Sequence, residues 1–403
     1  MKKKIIILSS YFPPIISVAS NRMYSFANYL DKNQFEVVVV FPYNKEVENK
    51  NSDVFVIPIK NTALLKYASF SKNLPYLLHK LKAVWNRLLI LANISPTGNF
   101  DRKAYQVICS QIHEASTCII LSSSPHIETH IIAQKIKTKF PRIKWIADLR
   151  DALSNNSYIP NNQTNKHIKV ELLILAYADA ITTVSLPIVN NLEEKNYRKI
   201  PIVELRNGFD FEARLRFHFN ERFTLLHAGT FYANRTPDTF FKAMQIILKE
   251  QLISDFRLVF VGSTSAIKIP EALLPYVERY DKIPYNEVVK LIQLADGLLL
   301  IHPPSSYKGV FTGKLFDYLG AMRPIIAIVD KTDVAAQLIN EANAGFVADF
   351  YSVDEIKKAI LDVYHLWKNK HVLPYHQQLI MMHHRAYQVK LLEYLIRQLY
   401  HEH

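Results

Sequence analysis

The sequence predicts two doubly wound α/β domains, each a Rossmann-like layer of parallel strands and helices, facing one another across a cleft. Three observations carry this prediction. The chain has 403 residues, more than one ordinary core needs and enough for two domains of roughly 150–250 residues each. Short, continuous runs of β-branched residues alternate with helical periodicities, the pattern of parallel sheets covered on both faces. The alternation comes in two blocks, and apolar patterning lapses between them near residues 205–222.

The first block opens on Lys4-Ile5-Ile6-Ile7-Leu8-Ser9-Ser10, a strand reading that ends in small polar residues. A loop with Pro13-Pro14 leads to a helical pattern over 20–30, with Met23, Phe26, Ala27 and Leu30 on one face. Glu36-Val37-Val38-Val39-Val40 is the next strand, completing a βαβ unit, which nearly always crosses over right-handed. Strands follow at 118–121, 144–147 and 180–184, with helices at 127–138 and near 187–195. The second block has strands at 224–228, 257–261, 297–301 and 324–328, separated by helices at 236–249, 286–294 and 314–321. A final helical stretch runs over 375–400. The expected division is a first domain at 1–205, a second at 206–375, and a last helix, 376–403, returning to the first domain.

Composition narrows the functional classes. Nearly half the residues are apolar, and 21% are charged, which is a globular composition. The two cysteines, Cys109 and Cys118, are too few for a disulfide framework, so a reducing compartment is expected. The apolar run after Lys2-Lys3-Lys4 is too short for a secretory h-region, and no apolar run approaches the ~20 residues of a spanning helix. The net charge of +13 suits a polyanionic or phosphorylated partner. Nucleic acid is disfavoured, because no zinc-finger, RNA-recognition or basic-zipper signature occurs. Residues 62–94 intersperse apolar and aromatic positions such as Leu64, Tyr67, Phe70, Tyr76 and Trp85 with Lys66, Lys72, Lys80, Lys82 and Arg87, with no acidic residue. Such a stretch either touches an anionic membrane surface or packs as a helical pair with its lysines in water.

In open parallel sheets, ligands bind beyond the carboxyl ends of the strands. The run Phe311-Thr312-Gly313-Lys314-Leu315-Phe316-Asp317 sits at such a position. Glycine before a helix lets backbone amides approach an anion, the helix N-terminus favours negative charge, and Lys314 adds a full cation. Asp317, one turn on, is placed to accept from vicinal hydroxyls such as those of a ribose. A second loop, Gly229-Thr230-Phe231-Tyr232-Ala233-Asn234-Arg235-Thr236-Pro237, follows a strand. Thr236 reads as an N-cap, Pro237 as the first helical residue, and Arg235 as a diphosphate partner at the helix entrance. In the first block Asp148, Arg150 and Asp151 cluster at a strand end. They either face the cleft and bind substrate or, for Arg150, form an internal ion pair that shapes the loop. His126 follows the Ser122-Ser123-Ser124-Pro125 turn and is a further cleft candidate, whereas Glu128 and His130 read as helical. A metal site would need ligands beyond His126, Glu128 and His130, and none is evident.

These segments resemble the retaining glycosyltransferases of family 4, which have the GT-B fold. Asn207-Gly208-Phe209-Asp210 resembles the family's junction segment, and the loop 229–237 its glycine-to-cation loop. Asp296-Gly297 and the helix ending at Pro324 resemble two further family segments. Trp145-Ile146-Ala147-Asp148-Leu149-Arg150-Asp151 and the Ser-Ser-Pro turn resemble a branch used in bacterial surface polysaccharide assembly. The resemblance implies that Arg235 and Lys314 hold a donor diphosphate and that Asp317 stands for the glutamate that bonds the ribose. The donor is then a nucleotide-diphosphate sugar with no metal required, and the acceptor a saccharide or lipid-linked molecule. Gly229, Thr312, Gly313 and Leu315 complete the expected donor site. The chain departs from the family at Gly309, where the first of two glutamates is expected, at residues 16–20, where a Gly-Gly loop is expected, and at Arg150, where a histidine is often present. A cytoplasmic protein, peripheral on the inner face of the plasma membrane, is the implied location. Rival readings are a nucleotide-sugar epimerase of the same fold, for which no proton-transfer carboxylate set is evident, and a non-catalytic scaffold. A dehydrogenase is disfavoured because no G-x-G-x-x-G follows the first strand.

Overall fold

The computed structural model describes residues 2–15, 17–43, 53–60, 99–154, 156, 159–213, 218–231, 235–262, 267–281, 283–305 and 308–401. The stretch 62–94 lies outside them. The chain divides into two compact units, the first comprising 1–183, 189–204 and 393–403, the second 184–188 and 205–392.

The first unit is built on seven parallel strands: β1 (Lys3–Leu8), β2 (Phe35–Pro42), β3 (Val54–Ile59), β4 (Cys118–Ser123), β5 (Lys144–Leu149), β6 (Ala180–Thr183) and β7 (Ile202–Glu204), in the order β3-β2-β1-β4-β5-β6-β7. The β-branched runs sit at its centre. Ile5 pairs with Val37 on one side and Ile119 on the other, and Ile5, Ile6, Ile7 and Leu8 are wholly buried. Full burial of each such side chain is worth about 1.5–3 kcal/mol, so the central strands carry the stability of the layer. Helix α1 (Val18–Tyr29) lays Met23, Phe26 and Ala27 into the core, and Ser17 caps it by accepting from Ser20 N. Helices α2 (Phe100–Gln111), α3 (Glu128–Lys139) and α4 (Asn161–Tyr177) cover the sheet as crossovers. Near the end of the chain, Glu393 accepts from the Asp31 N–H, and the Lys3 ammonium lies over the Tyr400 ring within this unit.

The second unit has six parallel strands: β8 (Phe223–Ala228), β9 (Phe256–Val261), β10 (Val277–Tyr280), β11 (Gly297–Ile301), β12 (Ile325–Val329) and β13 (Gly345–Asp349), ordered β10-β9-β8-β11-β12-β13. Around it lie α6 (Asp238–Lys249), α7 (Tyr285–Leu294), α8 (Gly313–Ala321), α9 (Val334–Glu341), α10 (Val353–Lys368) and α11 (Gln377–Met381), and α5 (Leu186–Glu193) and α12 (Arg385–His401) complete the α-helices of the described residues. In both sheets the strand order reverses beside the first strand of the block, between β1 and β4 and between β8 and β11. Those reversals are the topological switch points at which such sheets bind ligands.

Two boundaries differ from the sequence reading. Helix α6 starts at Asp238, so Thr236 is not its N-cap; Pro237 takes that position, its carbonyl accepting from Phe241 N. The expected single helix over 375–400 is broken. Residues 382–384 leave the helical path to meet the Asn207-Gly208-Phe209-Asp210 segment: Phe209 N donates to the His383 carbonyl and Arg385 N to the Phe209 carbonyl. No helix among the described residues is long and apolar enough to cross a membrane.

Candidate functional site

The second unit gathers its candidate residues around the switch point between β8 and β11. β8 ends at Ala228, and Gly229 then turns with φ +133°, a conformation that favours glycine. A Cβ at this position would lie 2.6 Å from Lys314 Nζ, so the missing side chain is what admits the amine. Gly262, at the end of β9, is equally constrained: φ is +124° and a Cβ would fall 2.7 Å from the Gly229 carbonyl oxygen. The backbone is thus packed tightly under Lys314, and Gly229 N donates to the Val261 carbonyl at 2.7 Å.

His227, on β8, is wholly enclosed. Its Nδ1 stands 2.8 Å from the Leu299 carbonyl, which only accepts, so Nδ1 carries the proton and Nε2 presents a lone pair. Lys314 Nζ donates to that lone pair at 3.1 Å. Burial, then the Lys314 charge, hold the imidazole well below its ordinary pKa and keep it neutral. Burial, followed by repulsion from Arg235, brings Lys314 down to about 7. His302, one residue past β11, is brought down to about 4 by burial and then by Arg235 and Lys314, and its Nδ1 is enclosed without a hydrogen-bond partner. The field of both cations therefore reaches one place.

Helix α8 begins there. Thr312 stands at its N-cap, but its side chain makes no capping bond, and its Oγ1 is buried without a partner. Leu315 N donates to the Thr312 carbonyl at 3.1 Å, so the N–H groups of Gly313 and Lys314 are the ones left for another acceptor. Gly313 begins the helix, whereas the Leu315 side chain is wholly buried and its N–H is committed to the Thr312 carbonyl. Tyr318 ties α8 to the sheet, its hydroxyl accepting from Ala228 N at 2.9 Å. Asp317 accepts from the Tyr285 hydroxyl at 2.6 Å. Burial raises its carboxyl to about 6 against the lowering effects of Tyr285 and Arg385.

The Asn207–Asp210 segment is explained by packing. A Cβ on Gly208 would meet the His383 carbonyl oxygen at 2.2 Å, and one on Gly320 would meet the Phe209 ring at 2.4 Å. Asp210 pairs with Arg385 at 3.4 Å. The segment fastens α8 to the residues before α12.

In the first unit the expected trio separates. Asp148 is wholly buried in β5. It accepts from Arg22 Nη2 at 2.7 Å, Ser123 Oγ at 2.8 Å and Thr182 Oγ1 at 2.8 Å. Burial alone would raise this carboxyl, but the charge and hydrogen bond of Arg22, with the hydrogen bonds of Thr182 and Ser123, outweigh it and hold it below its ordinary value. Asp148 pairs with Arg22, which fixes α1 to the sheet, and the ion pair foreseen for Arg150 is made with Asp151. Arg150 and Asp151 remain at the strand end, 3.4 Å apart, with 43% of the Asp151 side chain exposed. Behind them Glu171 accepts from Ser154 N and Oγ and from Lys195 Nζ, clamping the loop that follows. His126 stacks on Tyr11, ring centroids 5.6 Å apart, with the Tyr11 hydroxyl 3.3 Å from Nε2. Tyr11 and His126 therefore meet at the ends of β1 and β4, beside that unit's switch point. Glu128 pairs with Lys166, and the buried His130 pairs with Ser122 Oγ at 2.8 Å. The residues the sequence left unremarked are His227, His302, Gly262, Tyr285, Tyr11 and Arg22. Each becomes meaningful only through its partner.

Residues 222–365 match the family model described as Glycosyl transferases group 1. The sequence matches no curated protein. Among solved structures the chain is similar to sucrose-phosphate synthase from Thermosynechococcus elongatus, with 12% identity over 99% of each chain and a TM-score of 0.67. It is also similar to the N-terminal domain of trehalose-6-phosphate phosphatase from Candida albicans, at 12% identity over 98% of this chain and 97% of that one, TM-score 0.62. The lipopolysaccharide outer core galactosyltransferase WaaB aligns at 14% identity over 98% of this chain and 99% of its own, TM-score 0.54. At such identities the likeness speaks for the fold, and it spans both sheets. The two parallel-sheet domains are those of the GT-B fold, and the match to the glycosyl transferases group 1 model falls within the second.

Proposed function

We propose that this chain transfers a sugar from a nucleotide-diphosphate sugar to a saccharide or lipid-linked acceptor, without a metal ion and with retention at the anomeric carbon. The observation that carries the reading is the convergence of Arg235, Lys314 and the uncapped N-terminus of α8 at the β8/β11 switch point. In such a transfer the bond from the anomeric carbon to the diphosphate oxygen breaks, and negative charge grows on the leaving group. Preorganised donors in a site poor in water stabilise that charge. Two cations and unpaired helix N–H groups are such donors, and they fill the part a divalent ion plays elsewhere. Asp317 is placed one turn along α8, where its carboxylate would accept from ribose hydroxyls. Arg150, Asp151, His126 and Tyr11 are the polar side chains at the strand ends of the first unit and would serve the acceptor.

The proposed setting is cell-surface polysaccharide synthesis, with residues 62–94 touching an anionic membrane surface from the cytoplasmic side. Sedimentation with phosphatidylglycerol vesicles at low salt tests that part, and failure to co-sediment removes it. For the donor site, the first measurement is thermal stabilisation by nucleoside diphosphates and their sugars in the presence of EDTA. Stabilisation by one base, lost in Lys314→Ala and Arg235→Ala, is the expected result. No stabilisation of the folded protein by any of them would favour a non-catalytic role.

A further inference from the structure

Lys314 is an unusual place to keep a phosphate-binding cation. Its amine is lodged in the space that Gly229 leaves open. Among the described residues its one hydrogen-bond partner is His227 Nε2, a neutral lone pair, and the nearby charge of Arg235 repels it. The groups that face it are His227 from β8, Arg235 from the entry to α6 and His302 from the end of β11, whereas Asp317 on its own helix is engaged by Tyr285. A single acceptor of this kind fixes the direction of the side chain without supplying a counter-charge. His227 cannot turn away, because its Nδ1–H is committed to the Leu299 carbonyl and its ring is stacked on Phe231 with centroids 4.2 Å apart.

We propose that His227 is a positioning residue that holds Lys314 over Gly229, and that Lys314 takes up a proton from solvent when a nucleoside diphosphate binds. This inference rests on the donor-site reading above. The proton balance is simple: the neutral amine of the empty site gains one H⁺ from water or buffer and becomes the ammonium that faces the diphosphate, with no other bond made or broken. The sign follows from the titration of the empty site. Below about pH 7 the amine is already charged and binding takes up nothing there; above it, the proton must be acquired with the ligand, and apparent affinity falls as pH rises. The loss approaches about tenfold for each further pH unit until the titration of the occupied site is reached.

Isothermal titration of the full chain at pH 8 with UDP, GDP, ADP and CDP, in buffers of different ionisation enthalpy, counts the protons. For the nucleotide that binds, the expected uptake is close to one. Lys314→Arg, whose guanidinium does not titrate, should bind with an uptake close to zero. His227→Phe keeps the ring stack but removes the acceptor, and should weaken binding about tenfold, with His227→Gln recovering part of the loss. The pH dependence of Lys314 acylation, followed by mass spectrometry in the empty protein, provides a readout free of ligand. Acylation that rises only around pH 10, or nucleotide binding with no proton uptake, overturns the inference and leaves the donor site standing. Binding by none of the four nucleotides overturns the donor reading and the inference with it.

Discussion

Replacing Asp148 by asparagine is the sharpest test of how the first unit is held together. Asp148 and Arg22 expose 0% and 3% of their side chains and pair at 2.7 Å. The amide keeps the shape and can still accept from Ser123 and Thr182, but it leaves the guanidinium of Arg22 buried without its counter-charge. Removing one partner of such a pair costs about 3–5 kcal/mol. In a domain of this size each kcal/mol is worth about 2–4 °C, so the transition of the first unit should fall by about 6–20 °C. Scanning calorimetry of the full chain reads it, and the transition of the second unit should not move. Asp148→Asn combined with Arg22→Met removes the stranded charge and should be more stable than Asp148→Asn alone. The pair should also resist acid. Its carboxyl is held below 3.8, so its contribution is fully present above that value and disappears only as pH falls through the lower, folded one. An Asp148→Asn protein that melts like the parent yet has lost sugar transfer would refute this reasoning and make Asp148 a substrate contact.

Three further outcomes follow from the second unit. Gly229→Ala forces a side chain into φ +133° and to within 2.6 Å of Lys314 Nζ; nucleotide affinity should drop, and stability should fall by about 1–3 kcal/mol, both measurable by titration and melting. Asp317 ionises near pH 6 and Tyr285 lowers that value, so nucleotide binding should weaken as pH falls through 6, and Tyr285→Phe should move that edge upward in a pH series. Gly320→Ala drives a methyl against the Phe209 ring and should cost about 1–3 kcal/mol of overpacking, partly relieved when Phe209 is also shortened to leucine, as denaturant unfolding would show.

The central strands were legible because burial on both faces writes itself as continuous β-branched runs. The four strands missing from the sequence reading, β3, β7, β10 and β13, are the four edges of the two sheets. Being half-covered, they carry mixed sequences such as Val277-Glu278-Arg279-Tyr280, whose burial falls from partial to exposed. The cations of the proposed donor site were legible as well, since glycine followed by a helix and a lysine is a local pattern. What a local pattern cannot show is a partner 87 residues away, the separation between His227 and Lys314, or 126 residues away, that between Arg22 and Asp148. Asp148 read as part of a charged trio because the sequence places it beside Arg150 and Asp151. Alternation along the strand turns it to the interior instead, where α1 supplies its counter-charge.

The glycine at 309 shows where resemblance and geometry part. A family glutamate is expected at that position, and Gly309→Glu is the obvious way to rebuild the pair with Asp317. The structure argues that this repair fails. Gly309 has φ +91°, and a Cβ there would lie 2.7 Å from Ser185 Oγ within the same unit. Its N–H donates to Asp333 Oδ1 at 2.8 Å, and that carboxylate also caps α9 through Val334 N. The loop is therefore closed around a residue with no side chain, and Lys308 is tied to Asp330 beside it. Non-glycine backbone in this region costs about 1–3 kcal/mol before any clash is counted. The expected result is lower melting temperature and lower nucleotide affinity for Gly309→Glu, with Gly309→Ala showing most of the same loss because the backbone and the first carbon are at fault rather than the charge. A Gly309→Glu protein that melts like the parent and binds or turns over nucleotide sugar better would mean that the loop rearranges freely, and that Gly309 is a dispensable departure rather than the residue around which this edge of the site is built.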